Sequence, residues 1–104
     1  MYDKQVNPFY RTKKWEKKRS LILRRDGYLC RECKRYGKTS AATTVHHINP
    51  LETYPDLAYV SDNLLSLCAA CHGKMHDRMT NELTESGERW QIKIDMNGVK
   101  SNEP

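Results

Sequence analysis

The chain holds a single phenylalanine, five glycines and four prolines in 104 residues, and hydrophobic residues make up only 38% of it. No stretch approaches the roughly 20 consecutive apolar residues of a membrane-spanning helix. The apolar core of a secretion leader is also missing at the N-terminus. These absences speak against a helical membrane protein and against export, so the expected location is cytoplasmic, with no membrane partner. No internal repeat is visible. A chain this short buries a modest core, and domains of this size often need a metal or disulfides as a staple.

Charge is plentiful and unevenly placed. Eighteen lysines and arginines face thirteen acids, a net +5. Residues 1–38 carry 13 of the basic side chains against four acids, a net of +9, while the remaining 66 residues carry 5 basic and 9 acidic ones, a net of −4. A basic half of this density suits a polyanion such as DNA, because each phosphate contact releases condensed counterions. Lys13, Lys14, Lys17, Lys18, Arg19, Arg24 and Arg25 are the candidate backbone contacts. No apolar amphipathic anchor accompanies them, which disfavours a membrane surface.

The four cysteines fall into two CxxC pairs, Cys30/Cys33 and Cys68/Cys71, with 34 residues between Cys33 and Cys68. Two-residue spacing lets both thiolates of a pair reach one tetrahedral ion at roughly 2.3 Å. Two disulfides or four free thiols are the competing readings. In a reducing compartment the pairing favours a structural zinc held by all four. Such a site is closed and leaves no position for catalytic water.

All four histidines lie in two short segments, Val45-His46-His47-Ile48-Asn49-Pro50-Leu51 and Cys68-Ala69-Ala70-Cys71-His72-Gly73-Lys74-Met75-His76. Thr12 can cap a helix from about Lys13 to Arg25, with Trp15 and Ile22 on one face, flanked by Leu21 and Leu23. Thr43-Thr44-Val45 begins a short strand that delivers His46 and His47, and successive strand residues face opposite ways. Pro50 ends that strand, Glu52 to Asp62 reads as a crossing loop, and Asn63 to Leu67 as the second strand of a hairpin. A helix from Ala69 to about Met79 would bring His72 and His76 onto one face. Trp90-Gln91-Ile92-Lys93-Ile94 alternates like a half-buried strand. Met1–Tyr10 reads as an irregular arm, Asn97-Gly98 as a turn and Lys100–Pro104 as a flexible tail.

Taken together, the histidine segments, Asp62-Asn63-Leu64 between them and the framing cysteines resemble the zinc-containing, bacteriophage-type branch of the HNH endonucleases. The resemblance runs from about Trp15 to Arg78, with His47, Asn63 and His72 in the order of the family's name. It implies a small α+β architecture, the ββα-metal (HNH) fold, here with a four-cysteine structural zinc site and a basic N-terminal helix. The expected division is an arm over residues 1–12, a nuclease domain over 13–95 and a tail over 96–104.

The same resemblance implies a metal-dependent DNA endonuclease, nicking or cutting both strands, with one catalytic divalent ion. His47 becomes the general base and Asn63 a second catalytic residue, which helps hold the loop and orient that base; an ordinary turn or cap asparagine after Asp62 is the competing reading of Asn63. His46 and His72 become ligands, and His76, one helical turn beyond His72, a third. Many relatives carry Asp at the position of His46 and lack an equivalent of His76. An imidazole-rich site of this kind accepts Mn²⁺, Co²⁺, Ni²⁺ or Zn²⁺ readily, whereas Mg²⁺ prefers oxygen. Relatives of similar length include phage proteins of DNA processing and packaging, which makes a terminase a further expected partner. The alternative is a non-catalytic zinc-binding nucleic-acid adaptor. A zinc deaminase is disfavoured because no His-x-Glu precedes a CxxC.

Overall fold

The structure is a computed structural model that describes residues 7–77, 79–80 and 82–96, the side chains of 93–96 excepted. The expected Asn97-Gly98 turn, the C-terminal tail and the first six residues lie outside the described residues. The elements in chain order are α1 (Lys13–Arg25), α2 (Arg31–Arg35), β1 (Thr44–His47), β2 (Leu64–Leu67), α3 (Ala69–Gly73) and α4 (Glu85–Met96). This is a small α+β protein with one two-stranded antiparallel sheet among the described residues.

Thr12 caps α1, its hydroxyl accepting from the Trp15 N–H at 3.1 Å. Trp15, Ile22 and Leu23 are buried, whereas Leu21 is 47% exposed, so the apolar stripe is narrower than its sequence suggests. Gly27 and Tyr28 reverse the chain after α1 with φ of 66° and 61°. Glycine enters that left-handed region freely, whereas Tyr28 is held there between its own N–H on the Leu23 carbonyl and the Ala42 N–H on its carbonyl, both at 2.8 Å. The reversal carries Cys30 into the core.

β1 and β2 form an antiparallel pair with His46 opposite Leu65 and His47 opposite Leu64. Every residue of β2 is buried, because it lies between two apolar clusters. Leu64 packs with Trp15, Ile22, Leu23 and Val45. Leu65 and Leu67 pack with Cys30, Ile48, Met75 and Trp90, against which the other three cysteines rest. Ser66 is the polar residue between them: its N–H reaches Asp26 Oδ2 at 3.2 Å and its hydroxyl the Ile22 carbonyl at 3.4 Å. The hairpin is thereby stitched to the end of α1.

Two expectations are corrected. The helix beginning at Ala69 stops at Gly73, not near Met79, because the Met75 carbonyl accepts from Thr84 N–H at 2.9 Å and the Lys74 carbonyl from the Thr84 hydroxyl. His76 instead sits in a bridge with Leu83. The segment around Trp90 is helical, not a strand. Thr84 starts it, accepting Gly87 N–H on its hydroxyl, and Glu85 and Glu88 occupy the first turn, where the helix dipole favours acids. Trp90 is 4% exposed and Ile92 57%, so the apparent alternation does not follow burial.

Candidate active site and metal centres

The four cysteine sulfurs lie within 4.8 Å of one another, positioned to bind a metal ion. Cys30 and Cys68 each cap a short helix, their sulfurs accepting from Cys33 N–H at 3.4 Å and Cys71 N–H at 3.5 Å. Cys33 Sγ is 3.9 Å from Cys68 Sγ and 3.7 Å from Cys71 Sγ. Those separations are too long for a disulfide. They match the roughly 3.8 Å edge of a tetrahedron whose metal–sulfur bonds are about 2.3 Å. The Cys71 backbone N–H draws the Cys68 thiol down to about 7, whereas burial pushes the Cys30 and Cys71 thiols up. The knuckle is tied to α4 through buried Glu32, whose Oε1 accepts from Trp90 Nε1 at 2.8 Å and from Arg35 at 3.1 Å.

His46 and His47 are adjacent on β1 and face different surroundings. The His46 ring lies 5.4 Å, centroid to centroid, from His72 and 5.4 Å from His76. His76 reaches this place through the turn after α3 and its bridge, not along a helix. His46 is 2% exposed, and its Nε2 is buried without a hydrogen-bond partner among the described residues. Burial first, then the neighbouring imidazoles of His72, His76 and His47, push it down to about 3. Burial lowers His72 and His76 as well. Three neutral imidazoles around a buried, unpaired nitrogen suit a cation, since such a nitrogen is costly to leave unmatched. Among the described residues only the cysteines close to within 4.8 Å, so the histidines form a more open set.

His47 lies against an aromatic wall. Its ring stacks on Trp15 at 5.0 Å and 25°, with Phe9 at 5.7 Å and Tyr10 at 5.9 Å edge-on. Nε2 is 3.1 Å from the Ala58 carbonyl, which can only accept, so Nε2 carries the hydrogen and Nδ1 the lone pair. Nδ1 is 3.4 Å from the Tyr10 hydroxyl. Burial lowers the His47 pKa, opposed by the Ala58 bond and the Glu52 charge, so the ring is neutral and able to take a proton near pH 7. Both faces of the pair open on a cleft of about 810 Å³, lined among others by His46, His47, His72, His76, Glu52 and Arg19.

Asn63 is fully buried, and its amide is occupied by Asn49 and the Leu57 carbonyl. It therefore holds the loop and has no free atom for a direct contact with substrate. The basic residues of α1 divide. Arg25 is committed to the fold: it pairs with Asp26 at 2.8 Å and donates to the carbonyls of Ser61 and Leu64. These bonds tie the Arg25 side chain to the loop before β2 and to β2 itself. Lys18 donates to Ser61 Oγ, Arg19 to the Thr43 carbonyl, and Lys14 lies over the Tyr59 ring at 4.3 Å. Lys13, Lys17 and Arg24 are exposed, with no hydrogen-bond partner among the described residues.

Trp15, Tyr10, Asn49 and the Ala58 carbonyl were not apparent as site components from sequence. Trp15 carried only a core signal, and the Tyr10–His47 contact spans 37 residues. Asn49 sits inside the histidine motif, but a partner fourteen residues away leaves no local pattern.

A two-stranded hairpin and a short helix present paired histidines over a cleft, and four cysteines cluster where one metal ion fits. The family model for HNH endonucleases matches residues 30–78. The chain is also similar to a crystal structure of the HNH endonuclease of the deep-sea thermophilic bacteriophage GVE2 with a manganese ion. The two are 39% identical, the match covers 68% of this chain and 77% of that one, and the TM-score is 0.63. No curated protein sequence matches significantly. The chain belongs to the HNH endonuclease family. Among the described residues, no helix is long and apolar enough to cross a membrane.

Proposed function

We propose that this protein is a metal-dependent endonuclease that hydrolyses phosphodiester bonds in DNA. The observation that carries the reading is the different employment of two adjacent imidazoles: His46 has a buried, unpartnered Nε2 and a ring 5.4 Å from those of His72 and His76, while His47 has its hydrogen fixed on Nε2 and its lone pair on Nδ1. His46, His72 and His76 would hold one divalent ion. Bound there, the ion supplies Lewis-acid stabilisation of charge developing on the phosphate oxygens. The manganese in the GVE2 enzyme supports an ion of that kind.

His47 accepts the proton of the attacking water at Nδ1. Its Nε2–H stays on the Ala58 carbonyl, whose partial negative charge favours the imidazolium as it forms. The water oxygen bonds to phosphorus as the P–O3′ bond breaks; the departing 3′-oxygen takes a proton from solvent, leaving a 3′-hydroxyl and a 5′-phosphate. Asn63 keeps the loop that presents Ala58 in register with β1. The four cysteines hold a structural zinc, clamping α2 and α3 beneath the site. Lys13, Lys14, Lys17, Lys18, Arg19 and Arg24 hold the DNA backbone without reading sequence. The family's phage members favour a role in DNA processing inside an infected cell, beside the packaging machinery. An adaptor without catalysis would leave the buried His46 nitrogen and the oriented His47 unused.

The test is supercoiled plasmid incubated with purified protein and, separately, Mn²⁺, Co²⁺, Ni²⁺, Zn²⁺ or Mg²⁺. Nicked or linear products that vanish on chelation support the nuclease. Intact plasmid with every ion favours the adaptor.

A further inference from the structure

The base is held from a part of the chain that precedes the matched family segment. Residues Pro8–Arg11 form a tight turn, fixed by Asn7 Oδ1 accepting the Phe9 N–H at 2.9 Å. Thr12 joins this turn to α1, donating its hydroxyl to the Phe9 carbonyl at 2.9 Å while capping the helix. Phe9 and Tyr10 meet edge-on at 5.2 Å, and Tyr10 meets Trp15 at 5.7 Å. Hydrogen bonds and ring contacts therefore tie this turn to α1. It sets the Tyr10 hydroxyl 3.4 Å from His47 Nδ1.

We propose that Tyr10 is a positioning residue for the His47 base, an inference that rests on the nuclease reading above. Stacking on Trp15 fixes the plane of the imidazole, and the Ala58 carbonyl fixes one edge. Rotation within that plane is checked at the other edge by Tyr10 alone among the described residues. At 3.4 Å the contact is long for a hydroxyl hydrogen bond, so it guides the lone pair without competing strongly for it. A hydroxyl both donates and accepts, so Tyr10 can pass its bond to an incoming water and then accept from that water. Burial, followed by the nearby Glu52 charge, raises the Tyr10 pKa and keeps the phenol protonated for this task.

Tyr10 is 38% exposed, so replacing it leaves the core intact. In plasmid cleavage with Mn²⁺, Tyr10→Phe should lower kcat about 3- to 10-fold, the worth of one modest hydrogen bond, with KM, manganese affinity and thermal midpoint unchanged. Tyr10→Ala should lose more, because the ring contacts go too. A purely structural Tyr10 would make Phe equivalent to wild type, and an unchanged kcat in Tyr10→Phe overturns the proposal. Long-range proton–nitrogen spectra supply a readout independent of cleavage: the His47 Nδ1 resonance should move in Tyr10→Phe. If wild type cleaves no DNA yet that resonance moves, the nuclease reading fails while the Tyr10 contact stands. An unmoved resonance removes the contact itself.

Discussion

Asn63 Oδ1 accepts two hydrogen bonds from Asn49, one from its backbone N–H at 2.8 Å and one from its side-chain amide at 3.0 Å. Asn63 in turn donates to the Asn49 carbonyl at 3.3 Å and to the Leu57 carbonyl at 3.2 Å. The two residues close the loop that leaves β1 against the start of β2, and Gln91 of α4 adds a bond to Asn49 Oδ1 at 3.0 Å. The loop so fixed carries Ala58, the acceptor of the His47 hydrogen.

Asn63→Ala would leave the buried Asn49 N–H unmatched and should cost about 2–4 kcal/mol, seen in denaturant unfolding. Asn63→Asp should be at least as damaging, because a carboxylate replaces an amide donor facing two carbonyls. An Asp variant of wild-type stability would remove Asn63 from its role as the loop clamp.

Asp26 gives a pH dependence with a defined sign. Burial pushes its carboxyl up, but hydrogen bonds with Arg25 and Ser66 and the charges of Arg25 and Arg31 outweigh this and hold it below the ordinary value. A carboxyl with a depressed folded pKa stabilises the fold fully above the unfolded value, near 3.9. That contribution fades as pH falls through the folded value. Asp26→Asn should therefore be less stable than wild type at pH 7, with the gap narrowing below about pH 4. Paired unfolding curves across pH would show it; a gap that widens towards acid would contradict the assignment.

The division of the basic helix predicts two kinds of variant. Replacing exposed Lys13, Lys17 and Arg24 with Ala should flatten the salt dependence of DNA binding by up to about 0.9 in log–log slope per lost phosphate contact, without lowering stability. Arg25→Ala should lower stability and leave that slope nearly unchanged. Fluorescence anisotropy across salt concentrations, alongside thermal unfolding, distinguishes them.

Much of this was legible in advance where the signal is local. Thr12 before Lys13, the β-branched Thr44 and Val45, and the apolar run from Leu64 placed α1, β1 and β2 correctly. The four histidines of the motif line one cleft, whereas its Asn63 is buried in the loop behind them. Failures arose where distant contacts overrule local pattern. Thr84, ten residues from Lys74, captures the carbonyls that would have continued the helix carrying His72. Trp90 reads as strand by alternation, yet its indole is drawn to Glu32, fifty-eight residues away, on a helix started by Thr84. The bonds of Arg25 to Ser61 and Leu64 likewise span 36 and 39 residues and leave no local sign in the sequence.

The ligand set bears on metal choice. If His46, His72 and His76 hold the ion as proposed, three imidazoles suit later first-row ions better than Mg²⁺. Cleavage rates at saturating metal should be higher with Mn²⁺, Co²⁺ or Ni²⁺ than with Mg²⁺. A series in which Mg²⁺ alone supports turnover would refute the nitrogen-rich site.

The most direct test of the central claim is plasmid cleavage by His47→Ala at saturating Mn²⁺, with manganese affinity measured on the same preparation. The division of labour along β1 predicts a rate at least about 100-fold lower with affinity retained, the loss expected of a missing general base. A His47→Ala protein that cuts at the wild-type rate, or that loses manganese, would contradict it.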